Sequence, residues 1–354
     1  MKIGIVFFPT VGPRDKSAQD YFDEALHLVD LAEDLGFDHV KMVEHYFFPY
    51  GGYSPDPVTF LAAAAGRTRR VRLGTSATIP AFVHPVKLAG KLAMLDNISH
   101  GRLDAAFGRA FLPDEFRAFG ISLDESRSRF TEGVEAVKLL WTTENAEWNG
   151  AFHRFGPVTL LPRPVQQPHP PVFVASARSL DSVAAAARSG HHLQTVPNAM
   201  SVAELGERIG LFRSTWSAAG HRAAPQIQLS FPCVVSDSPD EARRKGRLDE
   251  QRNTAAISAA VRSWQSTSSS AYPGYESLAN IGGRDAFDDK LADDKLLVGS
   301  PDEVLGQLER VAARCGDDIV ISLGVHSGHL SVRDADTTMR LLAEQVFPKL
   351  LTSG

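Results

Sequence analysis

Cysteine is nearly missing from this chain: two residues, Cys233 and Cys315, stand far apart among 354. A chain of this length buries enough core to fold without staples, so the pair excludes a disulfide framework and suits a reducing, cytoplasmic compartment. No stretch approaches the roughly 18 consecutive apolar residues of a membrane span, so no membrane partner is expected. The opening MKIGIVFFPT has a single lysine, a short apolar run and no small-residue cleavage site, and it reads as a first strand instead of a secretory leader. An excess of positive charge is also absent. With 37 Lys and Arg against 42 Asp and Glu, the net charge of −5 offers no broad basic surface, and no nucleic acid partner is expected.

Missing motifs narrow the chemistry further. No G-x-G-x-x-G leads from a strand into a helix, and there is no P-loop. G-x-S-x-G is absent, which excludes the common serine hydrolase elbow. The twelve histidines show neither H-E-x-x-H nor zinc-type Cys/His spacing. His191 and His192 are neighbours in an apparent strand and point to opposite faces, so no metal site is expected.

What is present is a regular alternation. Near-continuous apolar runs recur at 3–8, 39–43, 71–75, 103–107, 171–175, 192–196, 227–235 and 319–323, the pattern of strands buried on both faces of a parallel sheet. Helical periodicity fills the gaps. Phe22, Ala25, Leu26, Val29 and Ala32 form one stripe, with Gly36 where a helix ends. Ser300-Pro301-Asp302-Glu303 has the form of a capping box, so a helix follows it, with Leu305, Leu308, Val311 and Ala312 facing the core and Gly316 as its stop. Eight strands alternating with helices favour a (β/α)8 TIM barrel, although an open doubly wound sheet has the same local grammar. The whole chain, 1–354, is expected to form one such barrel with two insertions. Around 145–170 lie a hairpin about Asn149-Gly150 and a proline-rich stretch; around 262–296 the chain is rich in Ser, Gly and Asp and has the character of a lid.

Barrel active sites form at the carboxyl ends of the strands, so polar residues that close a run are the candidates. The second run ends in Glu44, His45, Tyr46 and Phe47, where His45 is placed for general acid–base work with the Glu44 carboxylate fixing its tautomer, or for a structural role. The fourth run ends at Gly108 and Arg109, with Arg127 in the next helix. Two guanidinium groups beside a glycine suit a phosphate, or equally a surface ion pair. The fifth runs into Ser176, Ala177, Arg178 and Ser179 ahead of a helix, an arrangement that fits an anion site or a plain N-cap at Ser179.

These segments resemble the bacterial luciferase-like flavin monooxygenases. LAEDLGFDHVKMVEHYF is similar to that family's "AE-x-x-GFD-x-V-x-x-x-EHHF" signature, and RVRLGTSATIPAFVHPVKLAGKLAMLDNISHGRLDAAFGRAF to its third and fourth strands. FLPDEFRAFGISLDESRSRF and VGSPDEVLGQLERVAARCGDDIVISLG continue the likeness over most of the chain, which is weakest between about 236 and 296. The resemblance implies a two-component monooxygenase that takes reduced FMN from a separate flavin reductase, reacts it with O2 to a flavin C4a-hydroperoxide, and oxygenates a small organic substrate. It also implies a homodimer. His45 matches the first histidine of EHHF, used in catalysis, while Tyr46 replaces the second. Arg109 and Arg127 match phosphate-binding arginines, Ser176 to Ser179 the phosphate loop, and Ser76-Ala77 a non-prolyl cis peptide beside the flavin ring. Gly108 stands where luciferase itself has cysteine, so light emission does not follow; Ala110 replaces the usual glycine. Phe8, Phe47 and Phe82 suit either an apolar pocket or core packing, and Trp264, Tyr272 and Tyr275 mark the loop where substrate specificity is expected. Two other activities share the frame: deazaflavin-dependent hydride transfer, and a non-catalytic flavin-binding subunit.

Overall fold

The computed structural model describes residues 1–281, 285–316 and 318–352. Its strands are β1 (Lys2–Phe7), β2 (His39–Met42), β3 (Arg72–Thr75), β4 (Leu103–Phe107), β5 (Ala146–Asn149), β6 (Arg154–Val158), β7 (Val172–Ala175), β8 (His192–Thr195), β9 (Ile227–Val235), β10 (Leu297–Gly299) and β11 (Val320–Gly324). The helices are α1 (Ala18–Asp34), α2 (Pro57–Arg67), α3 (Pro85–Ile98), α4 (Pro113–Ala118), α5 (Ser126–Thr142), α6 (Leu180–Arg188), α7 (Val202–Ala218), α8 (Pro239–Ala260), α9 (Phe287–Ala292), α10 (Pro301–Cys315), α11 (Val332–Leu341) and α12 (Phe347–Thr352).

Eight strands pair in parallel in the order β1, β2, β3, β4, β7, β8, β9, β11, and β11 returns to β1, so the sheet closes on itself as a (β/α)8 barrel. All eight apolar runs of the sequence supply a barrel strand. The ninth, β10, pairs only with Cys233–Val235 at the far end of β9; three residues are too few to announce themselves in a sequence. Gly36 adopts a left-handed φ of 79° and ends α1 as expected. The stripe of α1 lies slightly rotated from the expected one: Tyr21, Leu28 and Leu31 are buried with Ala25, Val29 and Ala32, while Phe22 and Leu26 are only half-buried. In α10 the capping box at Ser300 is formed, and the buried row is Val304, Leu308, Val311 and Cys315. Both thiols are free and buried.

The first insertion is an antiparallel hairpin of β5 and β6 whose reversal spans Gly150 to His153, wider than a two-residue Asn-Gly turn. The Glu132 carboxylate organises it by accepting from Trp148 Nε1 (3.1 Å) and from the backbone amides of Ala151, Phe152 and His153. The second insertion carries short 3-10 turns at Arg262–Ser266 and Tyr275–Asn280, then α9. Its residues 282–284 lie outside the described residues. Trp264, Tyr272 and Leu278 pack with Leu112 and Phe116 into a satellite core over the barrel rim. No helix among the described residues is long and apolar enough to cross a membrane.

Period-two alternation sends His39 and Lys41 of β2 into the barrel, and small residues on the neighbours make room. A Cβ at Gly4 would meet the His39 backbone oxygen at 2.2 Å, and one at Gly74 would meet Lys41 Cγ at 2.9 Å. His39 bonds Ser322 Oγ (2.8 Å), Lys41 donates to Gln228 Oε1, and Gln194 Nε2 donates to the same oxygen (2.8 Å). Burial pushes the Lys41 ammonium down to about 7, against a raising influence from Asp104.

In the unfolded chain the same ammonium titrates near 10.4, so between the two values unfolding takes up a proton and stability rises with pH; below about 7 the desolvation penalty is constant. Lys41→Met keeps the stem and leaves Gln228 bonded to Gln194. It is expected to be more stable than the wild type by about 1–4 kcal/mol near pH 6 and to lose that advantage toward about pH 10, measured by urea unfolding across pH. A wild type more stable at every pH would mean that the ammonium's contacts outweigh its burial.

Candidate functional site

Beyond Met42 the chain leaves β2 with successive side chains alternating in direction, which separates Glu44 and Tyr46 from His45. Glu44 is buried and accepts from the Tyr46 hydroxyl (2.7 Å) and the Ile79 amide (3.2 Å); burial pushes its carboxyl up to about 8, against those two hydrogen bonds. Glu44 therefore does not orient His45, contrary to the sequence expectation, because adjacent residues at a strand end face apart. The orienting carboxylate is Glu115 in the first turn of α4, 1% exposed. Its Oε1 lies 3.1 Å from His45 Nδ1 and accepts the Tyr46 amide at 2.9 Å. One oxygen thus fixes both the imidazole and the backbone that carries it, and Nε2 is left for chemistry.

Around His45 stand the rings of Tyr50, Phe8 and Phe111 at centroid distances of 5.0, 5.7 and 6.0 Å. Gly51 has a φ of 73°, and a Cβ there would come within 2.7 Å of His45 Cβ, so glycine is required on both counts. Phe82 stacks on Phe119 (4.4 Å, 9°) beside Tyr46. Phe47 does not line a pocket with them: it is 63% exposed at a left-handed φ of 71°.

The Ser76–Ala77 peptide is cis, as expected. Ala77 packs with Ala106, Phe173 and Ala175, and a Cβ on Gly108 would come to 3.4 Å from Ala77 Cβ and 3.9 Å from Ala175 Cβ. Small side chains at the ends of β3, β4 and β7 thus leave a shallow floor.

Beside that floor Arg109 and Arg178 lie against two tyrosines of the second insertion. Arg109 donates from Nη2 to the Ala271 carbonyl (2.7 Å) and lies 4.2 Å over the Tyr272 ring, and Arg178 lies 5.4 Å over Tyr275. Burial raises the Tyr275 phenol, and the charges of Arg109, Arg178 and the exposed Arg127 all oppose that rise. Among the described residues none of the three has a carboxylate partner, and Arg109 Nη1 is buried without a hydrogen bond. The surface ion-pair alternative for Arg109 and Arg127 is therefore not the arrangement found. Ser179 caps α6 by accepting from the Ser182 amide (3.2 Å), and Ser176 Oγ donates to the Ser179 carbonyl (3.2 Å). Both hydroxyls thus order the loop that carries Ala177 and Arg178.

Glu115, Tyr50, Phe111 and Gln194 escaped the sequence reading because each reaches the site through the fold. A Glu in the first turn after Pro113 looks like an ordinary helix-start residue, and no spacing links it to His45. No group of three or more His, Cys, Asp or Glu among the described residues is placed to hold a metal.

A family model described as luciferase-like monooxygenase matches residues 1–318. The crystal structure of monooxygenase RslO1 from Streptomyces bottropensis superposes with a TM-score of 0.90 at 50% identity, covering 99% of this chain and all of that one. The oxygenase component of the flavin-dependent trigonelline monooxygenase of Acinetobacter baylyi is 33% identical over 230 residues, 64% of this chain and 63% of that protein. An F420-dependent glucose-6-phosphate dehydrogenase of Amycolatopsis mediterranei is 32% identical over 152 residues, 41% of this chain and 45% of that enzyme. The chain thus spans less than two thirds of the length of these curated relatives.

Replacing Glu115 by Ala leaves the buried Tyr46 amide without an acceptor and is expected to cost about 1–3 kcal/mol in urea unfolding. Glu115→Gln, which keeps an oxygen at that place, is expected to recover most of the loss; equal losses would show that the charge itself is required.

Proposed function

Because this chain belongs to the luciferase-like monooxygenase family, we propose that it is the oxygenase of a two-component flavin-dependent monooxygenase, using FMN delivered in reduced form by a separate reductase. The observation that carries the proposal is the arginine cluster. Arg109, with a buried unpaired nitrogen, directly follows Gly108 of the floor formed with Ala77 and Ala175, Arg178 lies over Tyr275, and the charge of Arg127 reaches the same ring. Such a pair of surfaces fits a flat ring that bears a phosphate, since an unsatisfied buried guanidinium nitrogen is costly until an anion accepts from it. Arg109, Arg127 and Arg178 with the Ser176 to Ser179 loop would hold the phosphate, and Ser76-Ala77 would border the ring.

When bound, reduced FMN supplies the two electrons by which O2 is divided between an oxygenated organic product and water. His45, held at Nδ1 by Glu115, presents Nε2 to hold or move a proton at the substrate. Phe8, Tyr50 and Phe111 around it exclude water. The reductase partner is supported by the trigonelline relative, which is named an oxygenase component. We further propose a homodimer, for which Met94 and Ile98 on α3 offer exposed apolar surface.

Reduced FMN mixed with excess protein and then with oxygenated buffer is expected to regain its oxidised absorbance in a delayed final phase, followed by stopped-flow. Oxidation in one phase at the rate of free flavin, with tight binding of a deazaflavin, would replace oxygenation by hydride transfer; binding of flavin without any change in its oxygen reactivity would indicate a non-catalytic subunit. Arg109→Ala is expected to weaken FMN binding about ten- to a hundredfold while leaving riboflavin, which has no phosphate, unchanged. His45→Ala is expected to lower product formation about 10²- to 10⁴-fold with FMN affinity retained, measured by turnover and by fluorescence titration.

A further inference from the structure

Below about pH 7 the centre of the barrel holds a cation with no anion upon it. Lys41 is 1% exposed, and its ammonium donates to the neutral side chain of Gln228. The carboxylate whose charge reaches it, Asp104, is already engaged by Arg72, whose Nε and Nη2 contact both oxygens at 2.6–3.1 Å. Among the other polar groups facing the interior, His39 is partnered by Ser322, Gln194 by Gln228, and His192 by the Gln226 amide. A buried ammonium in this state is destabilising by itself, and the low-dielectric interior leaves its field poorly screened.

That field has a direction. The stem of Lys41 crosses Gly74, where only glycine leaves space, to reach Gln228 on β9. Gln228 Oε1 accepts from Lys41 and from Gln194 Nε2, so the Gln194 amide is turned with its nitrogen toward Gln228 and the Thr75 carbonyl (3.2 Å). Its oxygen faces Ser76 Oγ at 3.4 Å. Two amides therefore connect the ammonium to the Ser76–Ala77 edge of the small-residue floor.

We propose that Lys41 is an electrostatic positioning residue that biases the barrel mouth toward an anionic ring system, acting through Gln228 and Gln194. Resting on the FMN reading of the site, the ligand so favoured is the monoanion of reduced FMN, which has released a ring proton to water, over the uncharged oxidised ring. The phosphate is common to both forms and is held elsewhere by the arginines, so it does not contribute to the difference.

The test, run near pH 6 where Lys41 is protonated, compares dissociation constants for oxidised and reduced FMN, and the midpoint potential of the bound cofactor under anaerobic titration, in wild type, Lys41→Met and Gln228→Glu. The first variant removes the charge; the second sets a carboxylate on the ammonium and cancels its field without emptying the position. A unit charge some 10 Å away at an effective dielectric of about 20 corresponds to roughly a tenfold loss of preference for the reduced form, or about 30 mV toward more negative potential. Both variants are expected to show that loss while binding oxidised FMN as the wild type does. An unchanged ratio in both, or an equal loss of affinity for both forms, would overturn the proposal and reduce Lys41 to a packing role. A wild type that binds neither form would instead overturn the FMN reading, and the proposal with it.

Discussion

Closure of the parallel sheet is the constraint on which the rest of this molecule depends. Once Leu193–Thr195 pair with Ile227–Leu229 and β11 returns to β1, each of the eight barrel strands is paired on both sides and all eight run from one rim to the other in the same sense. The carboxyl ends of β2, β3, β4 and β7 then open on a single mouth, whatever their separation in the chain. His45, Ser76, Gly108, Arg109 and Ser176 are neighbours for that reason alone.

Closure also divides the interior from the outside of the barrel chemically. Outward-facing residues of the strands meet helices and are apolar, and the main core forms there. Inward-facing positions have only each other, and below the floor of Ala77, Ala106 and Phe173 they include a polar set: His39 with Ser322, Arg72 with Asp104, and Lys41 with Gln228 and Gln194. Such a network is tolerable only because nearly every group in it has a partner. The exception in charge, Lys41, is also the group that points toward the mouth through two amides.

At the mouth the second insertion supplies what the barrel lacks. Tyr272 and Tyr275 lie against Arg109 and Arg178, and Trp264 Nε1 bonds the Phe111 carbonyl (3.1 Å), so the insertion forms a wall and joins the arginine cluster to the ring cluster around His45. Cation–ring contacts of this kind hold guanidinium groups in place without neutralising them. A chain with net charge −5 thereby keeps a locally positive site.

Much of this was legible in the sequence. Period and length of the apolar runs fix strands and helices locally, so all eight barrel strands, the capping box at Ser300 and the helix stop at Gly36 follow from short-range chemistry. Strand ends mark the rim, which is why His45, Arg109 and the Ser176 to Ser179 loop could be named from their positions. The tertiary structure alone decided which carboxylate serves His45: Glu44 is adjacent in sequence but faces away, whereas Glu115 arrives on another helix. It alone also turned Phe47 outward, left Arg109 Nη1 unpaired, and set Gln194 between Ser76 and Gln228. Backbone preferences act over a few residues and can be read along the chain; hydrogen bonds and burial act through space, and their partners exist only once the barrel has closed.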